Sequence, residues 1–322
     1  MRPLFLLSLP RSGSTLLQRI LGAHGSVATS PEPWLLLPQV YALREYGAFA
    51  EYGQVPSSRA IREFAGRLPG GETAYLEAVR AFAMDLYGRA TDATDATDAT
   101  AGVEYFLDKT PRYHFIADEL FRIFPDARTV FLWRNPLSVV ASIVDTWSGG
   151  RWKLERWHDD LHEGPPNLVN AFRGHRDGSF GLRFEDLVAS PDRVLPDLFA
   201  FLGLEFDPQL LEGFASVRWD ARMGDPTGTE RYEGLSTEPL DKWKATIRGP
   251  VRTRWARSYL TSLGSPVLAE MGYDLDELLG EVDSQPGGLG SVPGDTAASI
   301  SAAARRSGRR AAARFLWSGP RT

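Results

Sequence analysis

Five short, mainly apolar runs punctuate the first two thirds of the chain, at residues 3–9, 26–29, 104–107, 128–133 and 179–184. The longer ones lack the polar alternation of a half-exposed strand and match strands buried on both faces. Helical patterns follow most of them, at 14–23, 111–124, 136–147 and 191–201. Thr110-Pro111 and Asn135-Pro136 each set a capping residue before a proline at the first helical position. Strands separated by helices predict an α/β fold with a central parallel sheet flanked by helices on both faces. Beyond about Asp207 no run reads as a strand, and a helical C-terminal part is expected to pack on that core.

Two segments break the pattern. From Thr91 to Thr100 the chain repeats Thr-Asp-Ala, a period of three that fits neither a helix stripe nor a strand face. This predicts a solvated insertion over about residues 90–101. From residue 284 to the end, Pro, Gly, Ser and Ala dominate, with six arginines against Asp295 alone. The organisation expected is therefore one domain over 1–283 and a disordered basic tail over 284–322.

Composition narrows the chemistry. Hydrophobic residues make up 43% of the 322 and charged residues 24%, the balance of a globular protein. There is no cysteine, which excludes a disulfide framework, a thiol nucleophile and thiolate-bound metal. The net charge is −5; with a tail of +5, residues 1–283 carry −10. So acidic a body argues against general nucleic-acid binding. The opening apolar run is too short for a membrane span or a signal peptide, so no membrane span and a cytoplasmic location are expected. The basic tail leaves room for peripheral contact with an anionic surface.

The informative chemistry starts at Ser8. Leu9-Pro10-Arg11-Ser12-Gly13-Ser14-Thr15-Leu16-Leu17 joins an apolar strand to a helix. Backbone N–H groups around a glycine at a helix start form an anion-binding nest, aided by the helix dipole. Arg11 adds a cation, and Ser12, Ser14 and Thr15 add hydroxyl donors. A nucleoside triphosphate loop reads G-x-x-x-x-G-K-[ST]. Here Ser14 replaces the lysine, Ser8 stands at the first glycine, and no later strand ends in an aspartate suited to magnesium.

Strand 128–133 ends in Arg134 instead. Asn135 caps the next helix, and Ser142, seven residues on, falls on the same helix face. Arg134 and Ser142 form a second anion clamp. Two clamps and no metal site point to a bisphosphorylated nucleotide.

The loop 9–17 resembles the 5′-phosphosulfate loop of sulfotransferases that use 3′-phosphoadenosine 5′-phosphosulfate (PAPS). Phe131-Leu132-Trp133-Arg134-Asn135-Pro136-Leu137, continuing to Ser142, resembles their 3′-phosphate motif. Leu182-Arg183-Phe184-Glu185-Asp186-Leu187 followed by Phe201-Leu202-Gly203-Leu204 resembles their last core strand and helix. The similarity covers about residues 3–30, 104–147 and 179–206, and more loosely 240–247, and is closest in pattern to the glycan, tyrosyl-protein and bacterial types.

That resemblance implies a P-loop-like three-layer fold and metal-free transfer of a sulfuryl group to a hydroxyl acceptor. It implies that Arg11, Ser12, Gly13, Ser14 and Thr15 bind the phosphosulfate, with Arg11 also catalytic, and that Arg134 and Ser142 bind the 3′-phosphate. It assigns the catalytic base to Glu32 in Ser30-Pro31-Glu32-Pro33, and a lysine near the leaving group to Lys109 in Asp108-Lys109-Thr110-Pro111. Lys242 and Trp243 fall on a pair that covers the nucleotide. Phe184 stands where many members carry an adenine-contacting tyrosine; its ring can stack, but the hydroxyl is lost. The implied acceptor is a small-molecule, glycan or lipid hydroxyl.

Direct transfer needs a base for the acceptor proton and cations for the leaving phosphate, roles these residue types suit. His158 and His162 stand at i and i+4 as in a zinc-protease helix, but the intervening acid is Asp159 and no third ligand is evident. Trp147, Trp152 and Trp157 nearby serve equally as acceptor lining or as core. A G-x-S-x-G hydrolase elbow is absent. The alternatives are a P-loop-type kinase and a non-catalytic nucleotide-binding module, and His114 or His158 are the next candidates for the base.

Overall fold

The computed structural model describes residues 1–92, 102–214, 235–285 and Asp295. Most of the Thr-Asp-Ala repeat and nearly all of the basic tail lie outside the described residues. The described residues gather into two compact units, 1–133 with 167–235, and 134–166 with 236–322.

The first unit holds a five-stranded sheet, every pairing parallel, in the order β2-β3-β1-β4-β5. The strands are β1 (Arg2–Ser8), β2 (Val27–Thr29), β3 (Tyr105–Asp108), β4 (Arg128–Trp133) and β5 (Ser179–Arg183). Each coincides with a predicted apolar run to within one residue at either end. β1 sits at the centre, buried from Pro3 to Ser8, which explains its unbroken hydrophobicity. β3 pairs on one side of it, with Phe5 opposite Asp108, and β4 on the other, with Ser8 opposite Leu132. The expected α/β class, a parallel sheet flanked by helices with a P-loop-like strand–loop–helix opening, is the class found.

The helix Ser14–Gly22 follows β1, and Pro191–Leu202 buries Val194, Leu195, Leu198, Phe199 and Leu202. Three further helices lie where no helical pattern was read: Leu36–Tyr41, Gln54–Gly66 and Glu72–Asp92. The last buries Leu76, Val79, Ala83 and Tyr87 at helical spacing, and it absorbs Thr91 and Asp92 from the repeat.

One predicted start needs correction. Residues 111–124 do not form a single capped helix: Pro111–Ile116 is a 3₁₀ segment, followed by an α-helix over Ala117–Ile123. Thr110 makes no side-chain cap: its hydroxyl oxygen accepts instead from the Trp34 N–H at 3.2 Å, while its O–H donates to Asp108 Oδ1 at 3.1 Å.

In the second unit the helix Pro136–Trp147 starts as predicted, with Asn135 Oδ1 accepting from the Leu137 N–H at 2.9 Å. The unit also holds the helices His158–His162, Lys242–Thr246, Pro250–Leu263, Ser265–Glu270 and Leu275–Asp283. Arg252 joins their parts: it pairs with Asp295 at 2.7 Å and donates to the Thr246 carbonyl at 3.0 Å. Among the described residues no helix is long and apolar enough to cross a membrane.

Candidate active site

Parallel strands send their following loops off the same sheet edge, where open α/β sheets bind ligands. β2, β3 and β1 are consecutive in space, so the turns after them converge, although 77 residues separate Glu32 from Lys109.

The loop after β1 runs from Leu9 to Gly13. Gly13 takes φ +88° and Arg11 φ +67°, both left-handed. Gly13 is the residue before the helix Ser14–Gly22, which carries no side-chain cap. The first N–H groups of any helix have no carbonyl one turn back, so an anion is a natural partner at this end. Ser12, Ser14 and Thr15 are buried around it.

The turn after β2 carries Glu32, and the turn after β3 carries Lys109. Lys109 Nζ donates to Glu32 Oε1 at 2.8 Å and lies 3.5 Å from Thr15 Oγ1. The lysine side chain is 2% exposed and the glutamate 12%. One buried ammonium thus faces both a carboxylate and the loop after β1. Glu32, Lys109 and Thr15 belong to three separate motifs of the sequence, and the fold brings them together.

Several supports belong to no motif. Gln18, buried in the helix after the loop, donates to Thr29 Oγ1 and to the Ser30 carbonyl, both at 2.8 Å. It pins the start of the Glu32 turn. Trp34 Nε1 donates to Glu32 Oε2 at 3.2 Å. Asp108, fully buried, accepts from Tyr87 at 2.6 Å, Tyr113 at 2.9 Å and Thr110. Burial pushes its carboxyl up to about 6 even against those hydrogen bonds. The Asp108-Lys109 dipeptide was the available signal, since a carboxylate closing a buried strand needs partners.

A model of the sulfotransferase family matches residues 3–208. The chain belongs to the sulfotransferase family. It is 31% identical over 304 residues to nodulation protein NoeE of Sinorhizobium fredii, covering 84% of this chain and 65% of that one. It is 22% identical over 289 residues to protein-tyrosine sulfotransferase 1 of Danio rerio, covering 84% of this chain and 72% of that one. A similar solved structure is the sulfotransferase domain from the curacin biosynthetic pathway, at 22% identity and TM-score 0.48 over 76% of this chain and 90% of that one. The chain spans under two thirds of the length of NoeE, and 30% of an uncharacterised Aquifex aeolicus protein that it matches at 25% identity.

Phe184 is buried with its ring against Gly13. In the second unit Arg134 is buried and donates to the Pro239 carbonyl at 3.5 Å, and Ser142 lies half-buried on the helix Pro136–Trp147. Trp243 is core, whereas Lys242 is exposed and pairs with Glu238 at 2.9 Å. Trp152 is also core, edge-on to Trp255, while Trp147 and Trp157 stack on each other at 4.1 Å. His158 and His162 are ring neighbours at 4.4 Å, and His114 is buried beside Phe115.

Proposed function

We propose that this sulfotransferase transfers the sulfuryl group of PAPS to a hydroxyl of a small-molecule, glycan or lipid acceptor. The observation that carries the reading is Lys109, whose ammonium sits between Glu32 and Thr15. A base and a phosphate loop joined through one cation are the parts that in-line transfer requires.

In this reading Glu32 takes the proton of the acceptor hydroxyl as its oxygen attacks sulfur. The bond from sulfur to the 5′-phosphate oxygen breaks, giving a sulfate ester and 3′,5′-bisphosphoadenosine (PAP). Lys109 and Arg11 neutralise charge growing on the departing phosphate. The N–H groups and hydroxyls of Ser12, Gly13, Ser14 and Thr15 hold that phosphate, and Phe184 supports the loop from beneath Gly13. Arg134 and Ser142 supply the clamp for the 3′-phosphate, as their motif suggests. Lys242 and Trp243 retain their assignment near the nucleotide on resemblance alone.

The test is turnover with labelled PAPS and a panel of hydroxyl acceptors, comparing wild type with Glu32→Gln. Loss of a general base costs about 10²–10⁴ in rate, with PAP affinity unchanged. Turnover near the wild-type rate moves the base elsewhere, to His114 or His158. A parallel loss of PAP binding makes Glu32 structural.

A further inference from the structure

Glu32 does not stand alone with Lys109. Its second carboxylate oxygen accepts from the indole of Trp34, two residues on. Trp34 has φ +56°, a left-handed conformation that bulky side chains avoid. Its backbone N–H donates to Thr110 Oγ1 at 3.2 Å, and the Thr110 hydroxyl donates in turn to buried Asp108. Leu36, two residues further on, donates its N–H to the Tyr113 hydroxyl at 3.2 Å, and that hydroxyl also donates to Asp108.

The result is a closed circuit between two short segments. Residues 108–110 hold Trp34 through the threonine and Glu32 through the lysine, while Trp34 holds Glu32 directly. A non-glycine residue in a sparsely populated conformation persists only where its surroundings over-determine it. Here the strained turn lets one residue bond Thr110 with its backbone and Glu32 with its side chain.

We propose that Trp34 is a positioning residue for the transfer reaction. With Lys109 on Oε1 and the indole on Oε2, each carboxylate oxygen has one donor and keeps a lone pair for the acceptor proton. The donors fix the plane of the carboxylate, so that lone pair has a set direction. This proposal rests on Glu32 being the base.

The decisive variant replaces Trp34 by benzothienylalanine, which keeps the bicyclic ring and drops only the N–H. Trp34→Phe serves as a second variant. Expected is a fall in kcat of about 10- to 100-fold, the scale of a hydrogen bond to a charged group, with KM for PAPS and Kd for PAP unchanged. In crystals of the variant with PAP, the Glu32 carboxylate should rotate out of its contact with Lys109. Adding either change to Glu32→Gln should cost no further rate, because both act through one carboxylate. Unchanged kcat together with an unmoved Glu32 overturns the proposal. So does a loss confined to KM or PAP affinity, which would make Trp34 a part of nucleotide binding. If Glu32→Gln itself retains turnover, the base assignment fails and takes this proposal with it. If Glu32→Gln is inactive and the Trp34 variants are not, the base stands and only the positioning role falls.

Discussion

The ring of Phe184 lies so close to Gly13 that a β-carbon on the glycine would meet Phe184 Cε2 at 2.3 Å. Gly13 also has φ +88°, which alone costs another residue about 1–2 kcal/mol. The ring is buried, so Gly13→Ala must move the loop or the phenylalanine. Overpacking of this kind costs about 1–3 kcal/mol. Gly13→Ala should lower the melting temperature and weaken PAP binding together. Gly13→Ala with Phe184→Leu should recover part of both, because the smaller side chain yields space. Calorimetry showing full PAP affinity in the single variant would separate the loop's shape from anion binding.

The sheet was legible because its strands are buried on both faces and so read as apolar runs, β1 most plainly. The loop Arg11 to Thr15 stood out because its residues are contiguous, and it leads from β1 into the helix Ser14–Gly22, where that run placed it. The helix Gln54–Gly66 did not stand out, since it buries only Ser58 and Ala65 and shows no apolar stripe. Glu72–Asp92 carries a stripe, Leu76-Val79-Ala83-Tyr87, diluted by exposed Phe82 and by the repeat at its end. At the site, Glu32 and Lys109 were found one motif at a time. The parts that tie them together, Trp34 to Thr110 and Tyr87 to Asp108, depend on pairings between segments that no local pattern encodes. The packing of the Phe184 ring on Gly13 was likewise out of reach, because it joins two segments far apart in the chain.

Lys109 is the residue on which the proposed chemistry turns. Lys109→Met keeps most of the buried volume and removes the charge. Transfer should fall by about 10²–10³, as when one preorganised donor to a developing negative charge is lost. PAP should also bind more weakly, which distinguishes this variant from Glu32→Gln. Lys109→Arg should not restore the rate, because a planar guanidinium does not fit where an almost fully buried ammonium sits. Restored turnover in the arginine variant would show that charge alone suffices and that the 2.8 Å geometry to Glu32 is incidental.

Arg134 tests the nucleotide's second phosphate. Arg134→Ala should weaken PAP by about 2–5 kcal/mol, the scale for truncating one partner of a desolvated charge pair. Adenosine 5′-phosphosulfate lacks the 3′-phosphate, so its affinity should change far less. Ser142→Ala should show the same selectivity with a smaller loss, since a neutral donor contributes less than a charged one. Equal losses for both ligands in titration calorimetry would remove Arg134 from that role.

Asp108 makes a prediction about pH that needs no substrate. Burial raises its carboxyl to about 6, against hydrogen bonds from Tyr87, Tyr113 and Thr110 and the nearby charge of Lys109, all of which pull it down. The two phenols stay protonated, because burial and the adjacent carboxylate push both well up. An aspartate in the unfolded chain titrates near 3.9. Between about pH 4 and pH 6 the folded state therefore binds more protons than the unfolded one, and stability must fall as pH rises through that window. Below it the contribution is fully present, and above about pH 6 it is gone. A shift of about two units corresponds to about 3 kcal/mol. Asp108→Asn removes the titration while leaving an oxygen to accept from the tyrosines. The stability of wild type minus that of the variant, from urea denaturation, should drop by about 3 kcal/mol between pH 4 and pH 6.5 and stay level above. Subtraction cancels the other carboxylates, most of which act in the opposite direction. Parallel curves for the two proteins would mean that Asp108 titrates alike folded and unfolded, and that its three hydrogen bonds offset its burial.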